Sequence, residues 1–358
     1  MKKILIVTGG SGGHVIPAIS IYDHLINSFS TSIVSDFRGS KFINKKKYNL
    51  DLIDIPNLFS KWYLLPLNII KFLISIFKSY NYLKKNKINI LISTGGYMSL
   101  PLCISARILK ICIILFEPNS VLGRANKIML NISHQIICYD KDLKLFPQKN
   151  KKKIYLINPI LRKEIYLFEK NKKKKFNETK KILIIGGSQG ALFFDNIISS
   201  LILKISHKVK IEVSQQLFNL DKKFSIEQKY NNSGINYRLF NFDENLFKNN
   251  SDYDLAITRS GASAIAELAY LNIPFIAIPF PYAKDDHQYF NAKFYDSLNS
   301  CWLIRQDNFD INNIADLIVG LFAKKNEYFK KKENLEKISN QNTWNNVNKK
   351  LLDLINEN

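Results

Sequence analysis

Cysteine is scarce here and poorly placed for chemistry. Cys103, Cys112, Cys138 and Cys301 form no CxxC pair and follow no metal-ligand spacing. A disulfide scaffold and a zinc site are therefore not expected, and packed, reduced thiols are. Acid is in short supply too, with 30 Asp and Glu against 52 Lys and Arg, for a formal net charge of +22. Such a balance ordinarily points to nucleic acid or an anionic membrane surface. The excess is mostly lysine scattered among Asn, Ile, Phe and Tyr, as codon drift in an A+T-rich genome produces. No arginine- and aromatic-rich RNA motif is present, so no nucleic-acid partner is expected. The opening "MKKILIV" loses its apolar character at Thr8 and turns to glycine, which is too short for a signal-peptide h-region.

Two nucleotide fingerprints are also missing. Counted from Gly10 and Gly12, the third glycine of GxGxxG falls on Val15; counted from Gly187, the second falls on Gln189. Neither glycine loop ends in the GK[ST] of a Walker A motif. Asp36 lies 23 residues after Gly13, where a dinucleotide enzyme would place its ribose-binding acid. That spacing keeps an NAD-type oxidoreductase as the alternative enzyme reading, against the mismatched glycines.

What is present is a repeat. "KKILIVTGGSGG" from Lys2 is echoed by "KKILIIGGSQGA" from Lys180, with Gly186 lying 177 residues after Gly9. Each copy is a short apolar strand, a glycine-rich turn and a helix-like run, which is how a doubly wound α/β domain begins. Strand-like runs continue in both halves, among them "TSIVSD", "ICIILFE", "VKIEVS" and "DLAITR". The expected fold is two Rossmann-like doubly wound domains facing across a cleft. Their expected bounds are 1–160 and 161–340, with 341–358 a helix packing back on the first domain.

One segment breaks ordinary amphipathic design. In "WYLLPLNIIKFLISIF", residues 62–77, nearly every residue is apolar, and helical spacing places Asn68, Lys71, Ser75 and Lys78 on one narrow polar stripe. The run is shorter than the ~20 apolar residues of a membrane span and is interrupted by Lys71. Two readings stay open: a helix buried in a large domain, or a membrane-surface helix with Lys71, Lys78, Lys84 and Lys85 near anionic headgroups.

The remaining motifs sit where open α/β sheets bind ligands, at the carboxyl ends of strands. "GGSGGH", 9–14, offers backbone N–H groups and a helix N-terminus to an anion, and ends in a residue able to move a proton near neutral pH. "STGGYMSLP", 93–101, is a second glycine turn, and "FEPNSVLGRANK", 116–127, brings Glu117, Asn119 and Arg124. "TRSGASAIAE", from Thr258, reads as a small-residue turn opening a helix that can hold a diphosphate, with Glu267 one turn further in for a ribose diol. Asp285, Asp286, His287 and Gln288 follow the next strand.

Taken in order, "GGSGGHVIPA", "GGYMSLP", "EPN", "GGSQGA", "RSGASAIAE" and "DDHQYFNA" resemble the bacterial MurG family of glycosyltransferases over essentially the whole chain. The resemblance implies the two-domain GT-B architecture and metal-free, cofactor-free, inverting chemistry. N-acetylglucosamine would pass from UDP-GlcNAc to the undecaprenyl-pyrophosphoryl muramyl-pentapeptide lipid I, giving lipid II for peptidoglycan. It implies a peripheral enzyme at the cytoplasmic face of the inner membrane, in contact with anionic lipid. Donor contacts carry over to Ser11, Gly12, Gly13, Asn119, Arg162 and Ser188. They also carry to Phe242, by backbone to uracil, and to Ala262, Ser263, Ala264, Ile265, Ala266 and Glu267. Glu267 takes the ribose, while His287 and Gln288 read the sugar hydroxyls with help from Asn291. His14 becomes the base. The chain departs from the family pattern at Phe116 (usually histidine), Pro118 (glutamine) and Leu100 (glycine), and "NPILR" at Arg162 is one residue longer than usual. A non-catalytic lipid- or nucleic-acid-binding module is the third class of reading.

Overall fold

The computed structural model describes residues 1–53, 55, 65–172, 175–186, 193–241, 243, 246–248 and 252–358. The chain divides into two compact units, Met1–Tyr166 with Thr343–Asn358, and Leu167–Asn342. Each is an α/β unit built on one parallel sheet.

In the first unit the strands are β1 (Lys3–Val7), β2 (Ser30–Ser35), β3 (Leu50–Leu52), β4 (Ile90–Ser93), β5 (Cys112–Glu117), β6 (Gln135–Cys138) and β7 (Ile154–Leu156). They pair in the order β3-β2-β1-β4-β5-β6-β7. The helices are α1 (Gly12–Leu25), α2 (Phe37–Ser40), α3 (Leu65–Asn86), α4 (Leu100–Ile108) and α5 (Arg124–Met129). The apolar strand runs exist because both sheet faces are covered. Ile4 and Ile6 of β1 pack in one buried cluster, and Leu5 and Val7 in another on the opposite face.

In the second unit β8 (Lys180–Ile185), β9 (Ile211–Gln216), β10 (Asn236–Phe240), β11 (Leu255–Thr258), β12 (Phe275–Ala277) and β13 (Trp302–Leu303) pair as β10-β9-β8-β11-β12-β13. The helices are α6 (Ser199–Ser206), α7 (Lys223–Asn232), α8 (Ala262–Tyr270), α9 (His287–Ser297), α10 (Ile311–Lys324) and α11 (Asn326–Gln341). Strand order reverses beside β1 and again beside β8. These are the switch points at which doubly wound sheets leave a crevice for ligands.

The last helix, α12 (Trp344–Glu357), belongs to the first unit, where Val347, Leu351, Leu354 and Ile355 join the cluster around α1. Its start is fixed by His24, whose ring stacks on Trp344 at 3.6 Å. Burial draws the His24 imidazole down to about 4, so the stacked ring is neutral.

Helix α3 corrects one expectation and speaks against another. Residues 62–64 lie outside the described residues, and the helix continues well beyond residue 77. Asn68 and Ser75 do not share a solvent stripe with Lys71 and Lys78. They are buried along with Ser79, while the two lysines are exposed. Small polar side chains let α3 approach α4 closely: Ser75 Oγ donates to Phe72 O at 2.7 Å, and Ser105 Oγ reaches across to Ile76 O at 2.8 Å. The outward side carries Leu67, Ile69, Ile70, Leu73, Ile74 and Phe77, all exposed. The buried-helix reading fails. Among the described residues no helix is long and apolar enough to cross a membrane.

Candidate functional site

In the first unit the site grows from the glycine loop after β1. Gly10 adopts φ +80, a conformation that favours glycine, and Ser11 caps α1 without a side-chain bond. The loop is braced from below by buried Asp36. Its Oδ1 accepts from Gly10 N at 2.9 Å and Gly39 N at 2.7 Å, and its Oδ2 faces Arg38 at 3.3 Å. A carboxylate so engaged fixes the loop and caps α2, and the dinucleotide reading loses its ribose acid.

His14 stands in the first turn of α1, with Nδ1 2.9 Å from Thr94 O just beyond β4. A carbonyl oxygen only accepts, so Nδ1 is the donor and Nε2 is the nitrogen left for another partner. The neighbouring turn is shaped around that ring. Gly95 has φ +93, and a Cβ there would stand 3.3 Å from His14 Cε1 and Nδ1.

The loop after β5 is organised by buried Glu117. Its Oε1 receives Asn119 Nδ2 at 2.9 Å and Asn119 N at 3.2 Å. Its Oε2 receives Gly123 N at 2.7 Å and Asn126 Nδ2 at 2.9 Å. Asn126 also donates to Phe116 O at 3.0 Å. Two nearby positions are core residues: Phe116 meets Tyr139 edge-on at 5.7 Å, and Leu100 is buried at the start of α4.

In the second unit the described turn at the switch point is Arg259-Ser260-Gly261, between β11 and α8. No acidic residue lies in the first turn of α8, so its exposed N–H groups and dipole present undiminished positive character. Ala262, Ser263 and Ala264 are partly exposed there, while Ile265, Ala266 and Glu267 are buried. Gln288 Oε1 accepts from Ser260 N at 3.2 Å and Phe280 N at 3.0 Å, and Asn291 Nδ2 donates to Ser260 O at 3.1 Å. The loop after β12 is thereby tied to the turn before α8. Arg259 is buried among Phe193, Phe194 and Phe280, at 5.2, 5.0 and 5.5 Å from their ring centres. It donates to Ile278 O, Pro279 O and Gln306 Oε1. Burial draws its guanidinium down to about 10, which leaves it charged at neutral pH. Burial pushes the Cys103 and Cys301 thiols up to about 12, so neither is a nucleophile there.

Two family models match the chain: the glycosyltransferase family 28 N-terminal domain over residues 4–137, and its C-terminal domain over 181–347. A relative from Pelagibacter ubique is 45% identical over 357 residues, covering 100% of this chain and 99% of its own. It is named UDP-N-acetylglucosamine--N-acetylmuramyl-(pentapeptide) pyrophosphoryl-undecaprenol N-acetylglucosamine transferase. The chain belongs to the MurG family. A relative of the same name from Rickettsia canadensis is 32% identical, covering 90% of this chain and 91% of its own. The crystal structure of Acinetobacter baumannii MurG superposes with a TM-score of 0.79, at 21% identity and 100% coverage of both chains, a likeness in fold.

The MurG motifs are not all drawn together. Ser11, Gly12, Gly13 and His14 open α1, and His14 meets Thr94 beyond β4 at the first switch point, while Asn119 is held by Glu117. Arg162 belongs to the first unit and is half-buried before the turn Lys163–Leu167. The stretch Ala262 to Glu267, Gln288 and Asn291 is joined through Ser260. His287 starts α9 with Nδ1 2.9 Å from Lys284 O, after Asp285 and Asp286 at φ 54 and 52. Ser188 and Phe242 lie outside the described residues. Sequence reasoning missed the bracing role of Asp36, the hub at Glu117 and the buried charge of Arg259. Glu117 and Arg259 stand inside the motifs, but only the packed partners reveal what they hold.

Proposed function

We propose that the chain transfers N-acetylglucosamine from UDP-GlcNAc to lipid I, forming lipid II, and that the first unit receives the acceptor while the second holds the donor. The observation that carries this reading is 45% identity over effectively the whole of both chains to a relative with that name. The geometry supports a specific division of labour. The N-terminus of α8 and the turn before it take the diphosphate, and Glu267 takes the ribose hydroxyls. His14 accepts the acceptor's proton at Nε2 while its Nδ1–H stays on Thr94 O. The acceptor oxygen bonds to the anomeric carbon from the face opposite the leaving group. The bond from that carbon to the diphosphate breaks, and its electron pair leaves on UDP. N–H dipoles fixed before the reaction stabilise that charge without reorganisation.

A thermal-shift comparison tests the donor assignment. UDP-GlcNAc and UDP should raise the melting temperature and NAD should not, because only a ligand of the native state stabilises it. Stabilisation by NAD alone would reverse the reading.

The polyprenyl tail of such an acceptor stays in the bilayer, so the enzyme must go to it. The outward side of α3, with Lys71, Lys78, Lys84 and Lys85 exposed beside it, suits the cytoplasmic face of the inner membrane as a peripheral contact. Changing Ile70, Leu73 and Phe77 together to serine should abolish most binding to anionic liposomes. Activity on a short-chain, water-soluble acceptor should be retained. A folded triple variant that binds liposomes like the unaltered chain would place the membrane contact elsewhere.

A further inference from the structure

We infer that Phe37 and Phe42 form an aromatic platform beside the glycine loop that takes the C–H face of the acceptor's sugar, an assignment that rests on the transfer reading above. Both rings are well exposed, Phe37 at 60% and Phe42 at 53%. The segment carrying them is not loose. Gly39 of α2 lies so close to the glycine loop that a Cβ there would stand 2.8 Å from Gly9 Cα. Asp36 Oδ1 bonds both backbones at once, through Gly10 N and Gly39 N. Phe42 N donates to Gly39 O at 3.0 Å, and the next residue, Ile43, is buried in the core. The ring of Phe42 is thus held with its Cε1 3.6 Å from where a Gly12 Cβ would be, against the loop that leads to His14.

Apolar residues of this segment with somewhere to pack do so, as Ile43 and Tyr48 show. Phe37 and Phe42 stay outside. The flat ring of Phe42 on this rigid support, with Phe37 exposed on the same short segment, suits the apolar face of a pyranose, as aromatic faces suit polarised C–H groups. The surroundings choose between occupants. Lys41, Lys45 and Lys46 are exposed on the same segment, as is Arg38 beside Asp36. They complement the pyrophosphate and peptide carboxylates of a glycopeptide head. The aliphatic side of α3 is the surface in this unit that suits an isoprenoid chain.

The test uses the full chain, UDP-GlcNAc and lipid I analogues with short and long prenyl chains, after circular dichroism and melting have shown each variant folded. The double variant Phe37→Ala with Phe42→Ala should raise the acceptor KM about tenfold, with the donor KM within about twofold. With Phe42→Tyr most acceptor affinity should survive, whereas Phe42→Leu should behave like alanine, since bulk without a flat ring does not stack. An unchanged acceptor KM in the double variant overturns the platform. So does rescue by leucine confined to the long-chain acceptor, which would assign the rings to the isoprenoid. Absence of transfer by the unaltered chain would sink the transfer reading and this one with it. Normal transfer with an indifferent double variant sinks the platform alone.

Discussion

Replacing His14 by alanine should lower turnover roughly 10²–10⁴-fold, the usual worth of a positioned general base, with UDP-GlcNAc affinity nearly unchanged. Thr94 O holds a proton on Nδ1 and leaves Nε2 for the acceptor, and the turn at Gly95, having no side chain, lies close against the ring. His14→Gln would keep hydrogen-bonding capacity without a titrating nitrogen, so it should fail almost as badly. A local structural role would instead cost melting temperature and spare turnover. Steady-state kinetics beside a melting curve separate the two, and near-normal turnover in a folded His14→Ala protein would remove the base from this position.

Glu267→Ala should weaken UDP-GlcNAc and UDP binding by about 10- to 100-fold, the range for hydrogen bonds to a charged group at ~1.5–3 kcal/mol. Glu267 is buried on α8 within two turns of the helix start, where it can meet a ribose while the N-terminus meets the diphosphate. Glu267→Gln keeps one acceptor oxygen and should lose less. Isothermal calorimetry gives the answer directly, and donor affinity equal to that of the unaltered chain would take Glu267 out of the donor site.

The architecture was legible because its rules act locally. Ile4–Val7 and Ile182–Ile185 read as parallel strands since both faces of such strands are covered, and a glycine turn follows the first of them at its switch point. The division of labour within the motifs was less legible, because it depends on partners distant in sequence. The spacing of Asp36 fits a ribose acid equally well until Gly39 folds back to share its carboxylate. The stripe of Asn68, Lys71, Ser75 and Lys78 has one periodicity for solvent and for packing, and it is the burial of Asn68 and Ser75 beside exposed Lys71 and Lys78 that decides between them. Gln288 reads as a sugar contact by resemblance, yet its carbonyl oxygen also fastens Phe280 to Ser260. The rings around Arg259 come from Phe193, Phe194 and Phe280, so its burial could not be read from "TRSGAS".

The central claim meets its most direct test in a single mixture of purified chain, UDP-GlcNAc labelled in the sugar, and lipid I in mixed micelles, run with and without EDTA. The expected result is one UDP released per labelled disaccharide lipid formed, inverted at the anomeric carbon, at the same rate in both arms. Release of UDP without a labelled lipid product, or transfer that stops with the chelator, would contradict it.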